Sequence, residues 1–327
     1  QRRDLQAGPV REGPAAGAEV VRGRIVKKPG FGSVGFGWRR NPVSFVLAAL
    51  LVSVPAAAQS TLNGDWAGLF HEDQPERGPG PELGDYLGLP INAAARQWAD
   101  SWDASRPTLP EHQCRAHVSP YIYRGPIRVR ITEERDPVTQ EVFAMKHFLS
   151  TYAQERTIWL DGRPHPPEEA AHTWMGFSTG VWQGNVLKVT TTHMKQGWHR
   201  RNGVPMSAKA TMTEYFFRHD NVLTQLSITE DPIYLDEPLV KTTNLLLDID
   251  TTPNQYQAWL FCQADEEVPG RDPAEVPHYL PGENPYITEF AERHGLPVPA
   301  TRGGAETAYP EYVQKMKAMP APRPATP

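Results

Sequence analysis

Apolar and polar side chains alternate along the middle of the chain. Ile127, Val129 and Ile131 alternate with Arg128, Arg130 and Thr132, the period of two of a half-buried strand. The same rhythm predicts strands over 60–70, 142–152, 157–160, 177–182, 186–194, 208–219, 222–229 and 234–250, with one more at 256–261. Turn pairs punctuate them: Asp136-Pro137, Asp161-Gly162, Gly184-Asn185 and Asp220-Asn221. Pro238 implies a bend early in the last long run. Strands about ten residues apart, joined by short polar turns, describe a meander, and a long meander loses its bare edges by closing. The expected fold is all-β: an antiparallel barrel or strongly curved sheet, lipocalin-like in general shape.

The period shifts toward that of a helix in few places. Asn92 is an N-cap for 93–102, where Trp98 and Trp102 lie four apart and share a face. Two more short helices are expected at 285–294 and 310–319, within a Pro- and Gly-rich covering segment that begins at Val268. The prolines of 71–90 and the pattern of 105–126 predict irregular chain. Residues 320–327 are expected to be disordered.

The 327 residues are not all one structure. Trp38-Arg39-Arg40-Asn41, the apolar run 45–52 and Ala56-Ala57-Ala58 read as the basic region, apolar region and cleavage site of a secretory signal peptide. The apolar run is shorter than the ~20 residues that span a bilayer; a single membrane anchor is the alternative. Residues 1–58 are thus expected to be an upstream extension and signal peptide, and 59–319 a single β-barrel-like domain with a helical tail. The expected location is periplasmic or secreted, with no stable membrane insertion after cleavage. Residues 59–327 hold 24 basic and 35 acidic side chains, a net charge of −11. Such a chain, without a basic block, is a poor partner for nucleic acid. Export and a count of two cysteines favour a disulfide between Cys114 and Cys262. It would close a loop of about 150 residues, worth ~4–5 kcal/mol in the chain-entropy model before strain.

Along Arg156-Thr-Ile-Trp-Leu-Asp-Gly-Arg-Pro-His165, then Trp174-Met-Gly-Phe-Ser, Gly180-x-Trp-x-Gly184 and Leu187-x-Val-x-Thr-Thr, the chain resembles an uncharacterised family of secreted bacterial β-rich proteins. The resemblance runs from about Asn63 to Tyr312. It implies an exported β-rich domain and no activity.

Strand parity decides which polar side chains can meet. His193 continues the apolar set Leu187, Val189 and Thr191, and so is expected to point inward. On 208–219 the set Ala210, Met212, Glu214, Phe216 and Arg218 is favoured as the inner one. His193, Glu214 and Arg218 would then form a charged trio, with Arg218 gripping an anionic group and His193 acting as acid or base. A satisfied buried ion pair is the alternative for the same residues. Trp174, Trp182 and Tyr215 are candidate ligand contacts, although tryptophans more often plug a barrel core. His165 and His172 sit on a loop stiffened by Pro164, Pro166 and Pro167. With His193 they could hold zinc or copper, though their spacing matches no short metal motif, and His278 is a further candidate. His112-x-Cys114-x-x-His117 ranks below the disulfide as a use for Cys114. No nucleophile elbow, zincin helix, P-loop or dinucleotide fingerprint occurs.

These features favour a barrel that binds a small organic molecule inside or at its mouth. The alternatives are a hydrolase, lyase or isomerase built on His193, Glu214 and Arg218, and an envelope structural or interaction protein.

Overall fold

Nine strands close into a barrel in the computed structural model of the protein, which describes residues 61–69, 80–124, 128–249 and 268–320. Around the barrel run β1 (Gly64–Gly68), β11 (Leu239–Leu247), β10 (Val222–Glu230), β9 (Thr211–His219), β6 (Val186–Thr192), β5 (Phe177–Gln183), β4 (Gln154–Trp159), β3 (Val142–Leu149) and β2 (Arg128–Arg135). β1 pairs with both β2 and β11, so the first and last strands close the wall. The short ribbon β7 (Gly197–Trp198) and β8 (Pro205–Met206) stands apart from the barrel, between β6 and β9. The expected all-β barrel is therefore what the chain forms.

One seam departs from the expected antiparallel meander. β4 and β5 run parallel, pairing only Ile158 with Ser178 and Trp159 with Thr179. A hairpin cannot join parallel neighbours; the connection is instead residues 160–176, a strap laid over the outside of the wall. The predicted strand at 234–250 also starts later. Asp231 accepts hydrogen bonds from the backbone N–H groups of Ile233 and Tyr234, and Pro238 comes just before β11. The residues of the expected signal peptide (within 1–58) and of the expected strand (256–261), and all but Pro320 of the end expected to be disordered (320–327), lie outside the described residues.

The helices are short. Asn92 caps α1 (Ala93–Asp100), accepting from the N–H of Ala95 as the sequence implies. Two single-turn helices, α2 (Pro110–Gln113) and α3 (Ser119–Ile122), interrupt the expected loop. The tail carries α4 (Glu289–His294), α5 (Val298–Thr301) and α6 (Pro310–Lys317). It covers α1: Asn284 donates to the carbonyls of Asp100 and Trp102, and Arg302 pairs with Asp100. Beneath lies a second core of Tyr86, Ile91, Ala95, Ala99, Val204 and Leu235.

The main core fills the barrel. Trp66, Val129, Ile131, Met145, Leu149, Ile158, Leu187, Val189, Phe216, Leu223 and Leu245 point inward from the strands. Ile122 and Tyr123 join them from α3 and its C-cap, so this segment plugs the lumen.

Gly176 fixes where the strap rejoins the wall. Its φ is +68°, and a Cβ there would sit 2.5 Å from the Thr192 carbonyl oxygen and 2.7 Å from Met194 Cγ. Gly176→Ala is expected to destabilise the protein by about 1–3 kcal/mol through the left-handed backbone alone, with the clash in addition. Urea denaturation checks this; an unchanged midpoint would show that the strap can shift without loss.

Candidate functional site

The barrel interior is not purely apolar. Glu214 of β9 and Arg156 of β4 face each other across it as an ion pair, both essentially inaccessible to solvent. Arg156 uses its whole fork. Nη1 donates to Glu214 Oε1 (3.0 Å) and to Tyr123 Oη (3.3 Å), Nη2 to Thr191 Oγ1 (2.8 Å) and Glu214 Oε2, and Nε to Ser178 Oγ (3.1 Å). Gln225 Nε2 donates to Glu214 Oε1 at 2.6 Å. Burial opposes the guanidinium charge, but the Glu214 carboxylate and Tyr123 hold the Arg156 pKa above its ordinary value. Because Arg156 donates to Tyr123 Oη, the Tyr123 hydroxyl hydrogen is left to donate to His147 Nδ1, 2.6 Å away. Burial drives the Tyr123 pKa up to about 12 and that of His147 down to about 3. This network is a satisfied structural belt, with His147 Nε2 its one atom lacking a partner among the described residues.

The trio expected from strand parity does not assemble. Glu214 does point inward, as do Met212 and Phe216, but its cation is Arg156. Arg218 lies toward the β9–β10 turn, donating to the carbonyls of Asp220 and Thr61 and stacking over Trp66. His193 lies at the opposite end. The β6–β9 register sets Val186 against Phe217, Val189 against Glu214 and Thr191 against Met212. His193 fails to continue the inward set because its φ is +57°, which takes the chain out of the strand. Its ring then turns outward, to Pro167 of the strap.

There it meets the other two predicted histidines. His165, His172 and His193 line one open pocket of about 490 Å³ on the outside of the wall, with Pro166, Glu168, Thr192, Ala208, Lys209, Ala210 and Thr211. The hydrogen bonds run in sequence. Thr179 Oγ1 meets His165 Nε2 (2.8 Å), His165 Nδ1 meets Thr192 Oγ1 (2.8 Å), Thr192 Oγ1 meets His193 Nδ1 (2.7 Å), and His193 Nε2 meets the Pro167 carbonyl (2.8 Å). Separately, His172 Nδ1 meets the Met194 carbonyl at 2.8 Å, and its ring packs edgewise on His193 with centroids 5.3 Å apart. Burial, and then the neighbouring His193, lower the pKa of His165. Lys209 and Glu168 pair at the rim.

The three imidazoles converge, but not as metal ligands. Both ring nitrogens of His165 and His193 are committed to hydroxyls or a carbonyl, and Thr192 Oγ1 sits between the two rings. Among the described residues no three His, Cys, Asp or Glu side chains form a group able to hold an ion. The zinc or copper set proposed from the sequence is thus not formed here. His278 is elsewhere, against its own Val276 carbonyl.

A second open cleft of about 590 Å³ flanks the other side of the strap, where β4 and β5 splay, lined by Trp159, Trp174 and Phe177. Trp174, a candidate ligand contact, also lines this cleft. It is held between Arg115 and Lys195, whose cations lie 5.2 and 5.1 Å from its ring. Trp182 packs against the main core, and Tyr215 stands on the outer face of β9, opposite Lys188 and Leu226. Cys114 is buried and is not free; Cys262 lies outside the described residues. His112 and His117 are each held at a pKa of about 4, chiefly by burial and then by neighbouring arginines.

The interior belt does not show in the alternation of apolar and polar positions. Arg156, Tyr123, His147 and Gln225 were not singled out, although the inward parity of Ile158 implied that Arg156 also faces in. The buried group of Ser207, His199 and Asp231 was missed too: Asp231 accepts from the Ser207 N–H and hydroxyl at 2.7 Å each. No family model matches the chain, and no curated protein or solved structure matches it.

Proposed function

We propose that the protein is an exported β-barrel that binds a small organic molecule in the pocket under the strap, and not in the lumen. The observation that carries this reading is the convergence of three imidazoles on an open recess of about 490 Å³. Ligand sites are concave, largely apolar and fitted with a few oriented polar groups. Pro166, Ala208 and Ala210 supply the apolar part, and the hydrogen-bonded histidines the oriented part. The filled core argues for a site outside the wall. Export and a Cys114–Cys262 bridge belong to the same proposal, as does the absence of nucleic-acid partners for so acidic a chain.

The test is a fragment titration followed by NMR on protein with labelled histidines. Ligands are expected to move the His165, His172 and His193 ring signals together. Fragments that perturb only the cleft at Trp159 and Trp174, or nothing at all, would overturn the assignment.

A second reading, an acid–base enzyme, is favoured by one feature. His172 is oriented by a backbone carbonyl through Nδ1, the arrangement that leaves Nε2 facing a reactant. On that reading His172→Ala would abolish turnover while fragment binding at the pocket persists.

A further inference from the structure

The hydrogen-bond sequence beside the pocket can be read for direction, because one end of it is fixed. The Pro167 carbonyl only accepts, so His193 Nε2 carries a hydrogen. In the neutral tautomer His193 Nδ1 is then an acceptor, and Thr192 must give it its single hydroxyl hydrogen. Thr192 Oγ1 in turn accepts from His165 Nδ1, which makes His165 Nε2 an acceptor for the Thr179 hydroxyl. Each hydrogen in the sequence is therefore used internally, and none is left to offer a ligand. His172 follows the same logic: its Nδ1 hydrogen goes to the Met194 carbonyl, and its Nε2 lone pair has no partner among the described residues.

The rim adds a constraint of charge. Lys209 is neutralised by Glu168 and also feels Glu169, so the cation lining the pocket is already paired. An anionic ligand gains little there.

We infer that the pocket takes a molecule with a compact apolar body and one hydroxyl or amine hydrogen, donated to His172 Nε2. This rests on the pocket being the ligand site. It adds that the imidazole accepts, so ethers and carboxylates of the same shape are rejected. A site built to pair with a donor leaves its own polar group unpaired when the donor is missing.

Three probes of one shape decide it: 2-naphthol, 2-methoxynaphthalene and 2-naphthoate, titrated at pH 7.5 into protein with ¹⁵N-labelled histidines. 2-Naphthol is expected to bind about tenfold more tightly than either of the others and to shift the His172 Nε2 resonance most. His172→Phe should bring 2-naphthol down to the level of 2-methoxynaphthalene and leave the latter's affinity unchanged, which also shows that the variant folds. Equal binding of 2-naphthol and 2-methoxynaphthalene, with the pocket histidines responding to both, would overturn the donor requirement and keep the pocket. Tightest binding by 2-naphthoate would overturn it as well, by showing a cationic site. No response of the pocket histidines to any probe would overturn both the inference and the site on which it rests.

Discussion

Removing one member of the interior ion pair is expected to destabilise the protein by about 3–5 kcal/mol. Arg156→Met leaves the Glu214 carboxylate fully buried with only Gln225 still donating to it, and deprives Ser178, Thr191 and Tyr123 of their common donor. Glu214→Met leaves a guanidinium at 1 % exposure with hydroxyl partners but no counter-charge. Either loss is a large fraction of the 5–15 kcal/mol by which a domain is ordinarily stable. The double variant Arg156→Met/Glu214→Met removes both charges and substitutes apolar volume, so most of the loss should be recovered, because desolvating the pair offsets much of its attraction. Urea denaturation of the four proteins gives the coupling directly. Additive losses would mean that the two side chains act independently, and the belt described here would not be a unit.

The barrel was legible because its strands are half-buried, and half-burial writes itself as alternation. β2, β6 and β9 each show it, and Val129, Ile131, Leu187, Val189, Met212 and Phe216 face inward as their alternation predicts. β4 starts three residues before the strand expected at 157–160. Gln154 and Arg156 face inward beside Ile158, and inward polar residues erase the contrast on which the pattern depends. The parallel seam was not legible either, since direction depends on where the strap lands, and that is set by Gly176 against Thr192. Tyr123 could not be found at all: it enters the core from chain without periodicity.

The candidate site divides the same way. Parity placed Glu214 correctly, because β9 is regular from Thr211 to His219. It misplaced His193, because parity holds only while backbone angles stay extended and His193 adopts a positive φ. That departure costs on the order of 1–3 kcal/mol and is held by contacts on both sides, from Thr192 and from Pro167. The same strain that broke the predicted trio brings His193 to His165 and His172. The histidines of the proline-stiffened loop are pinned by distant partners, His165 by Thr179 and Thr192 and His172 by the Met194 carbonyl, so their meeting with His193 depends on the strap being laid over the wall.

Acid should unfold this protein earlier than its carboxylates alone would require. His147 has a folded-state pKa of about 3, because burial and then Arg156 disfavour its charge, whereas an unfolded histidine titrates near 6.5. Below pH 6.5 the unfolded chain therefore binds a proton that the folded one refuses, and stability falls as pH falls until the folded pKa is reached. At pH 4 this amounts to roughly 3 kcal/mol for His147, with His117 and the buried His199 acting in the same direction. Asp231, held at about 2, despite its burial, by the adjacent His199 and by hydrogen bonds from Ser207, adds a further loss below pH 4. His147→Phe isolates the largest contribution. Phenylalanine keeps the edge contacts with Tyr123 and Phe216 but cannot titrate. It leaves the Tyr123 hydroxyl without its acceptor, so the variant should be less stable by about 1–2 kcal/mol at pH 7.5. Between pH 6.5 and 4 its stability should then decline less steeply, by up to one proton, so that the two curves converge or cross. Parallel curves across that interval would mean that His147 accepts a proton in the folded barrel, and that the interior belt is open to water.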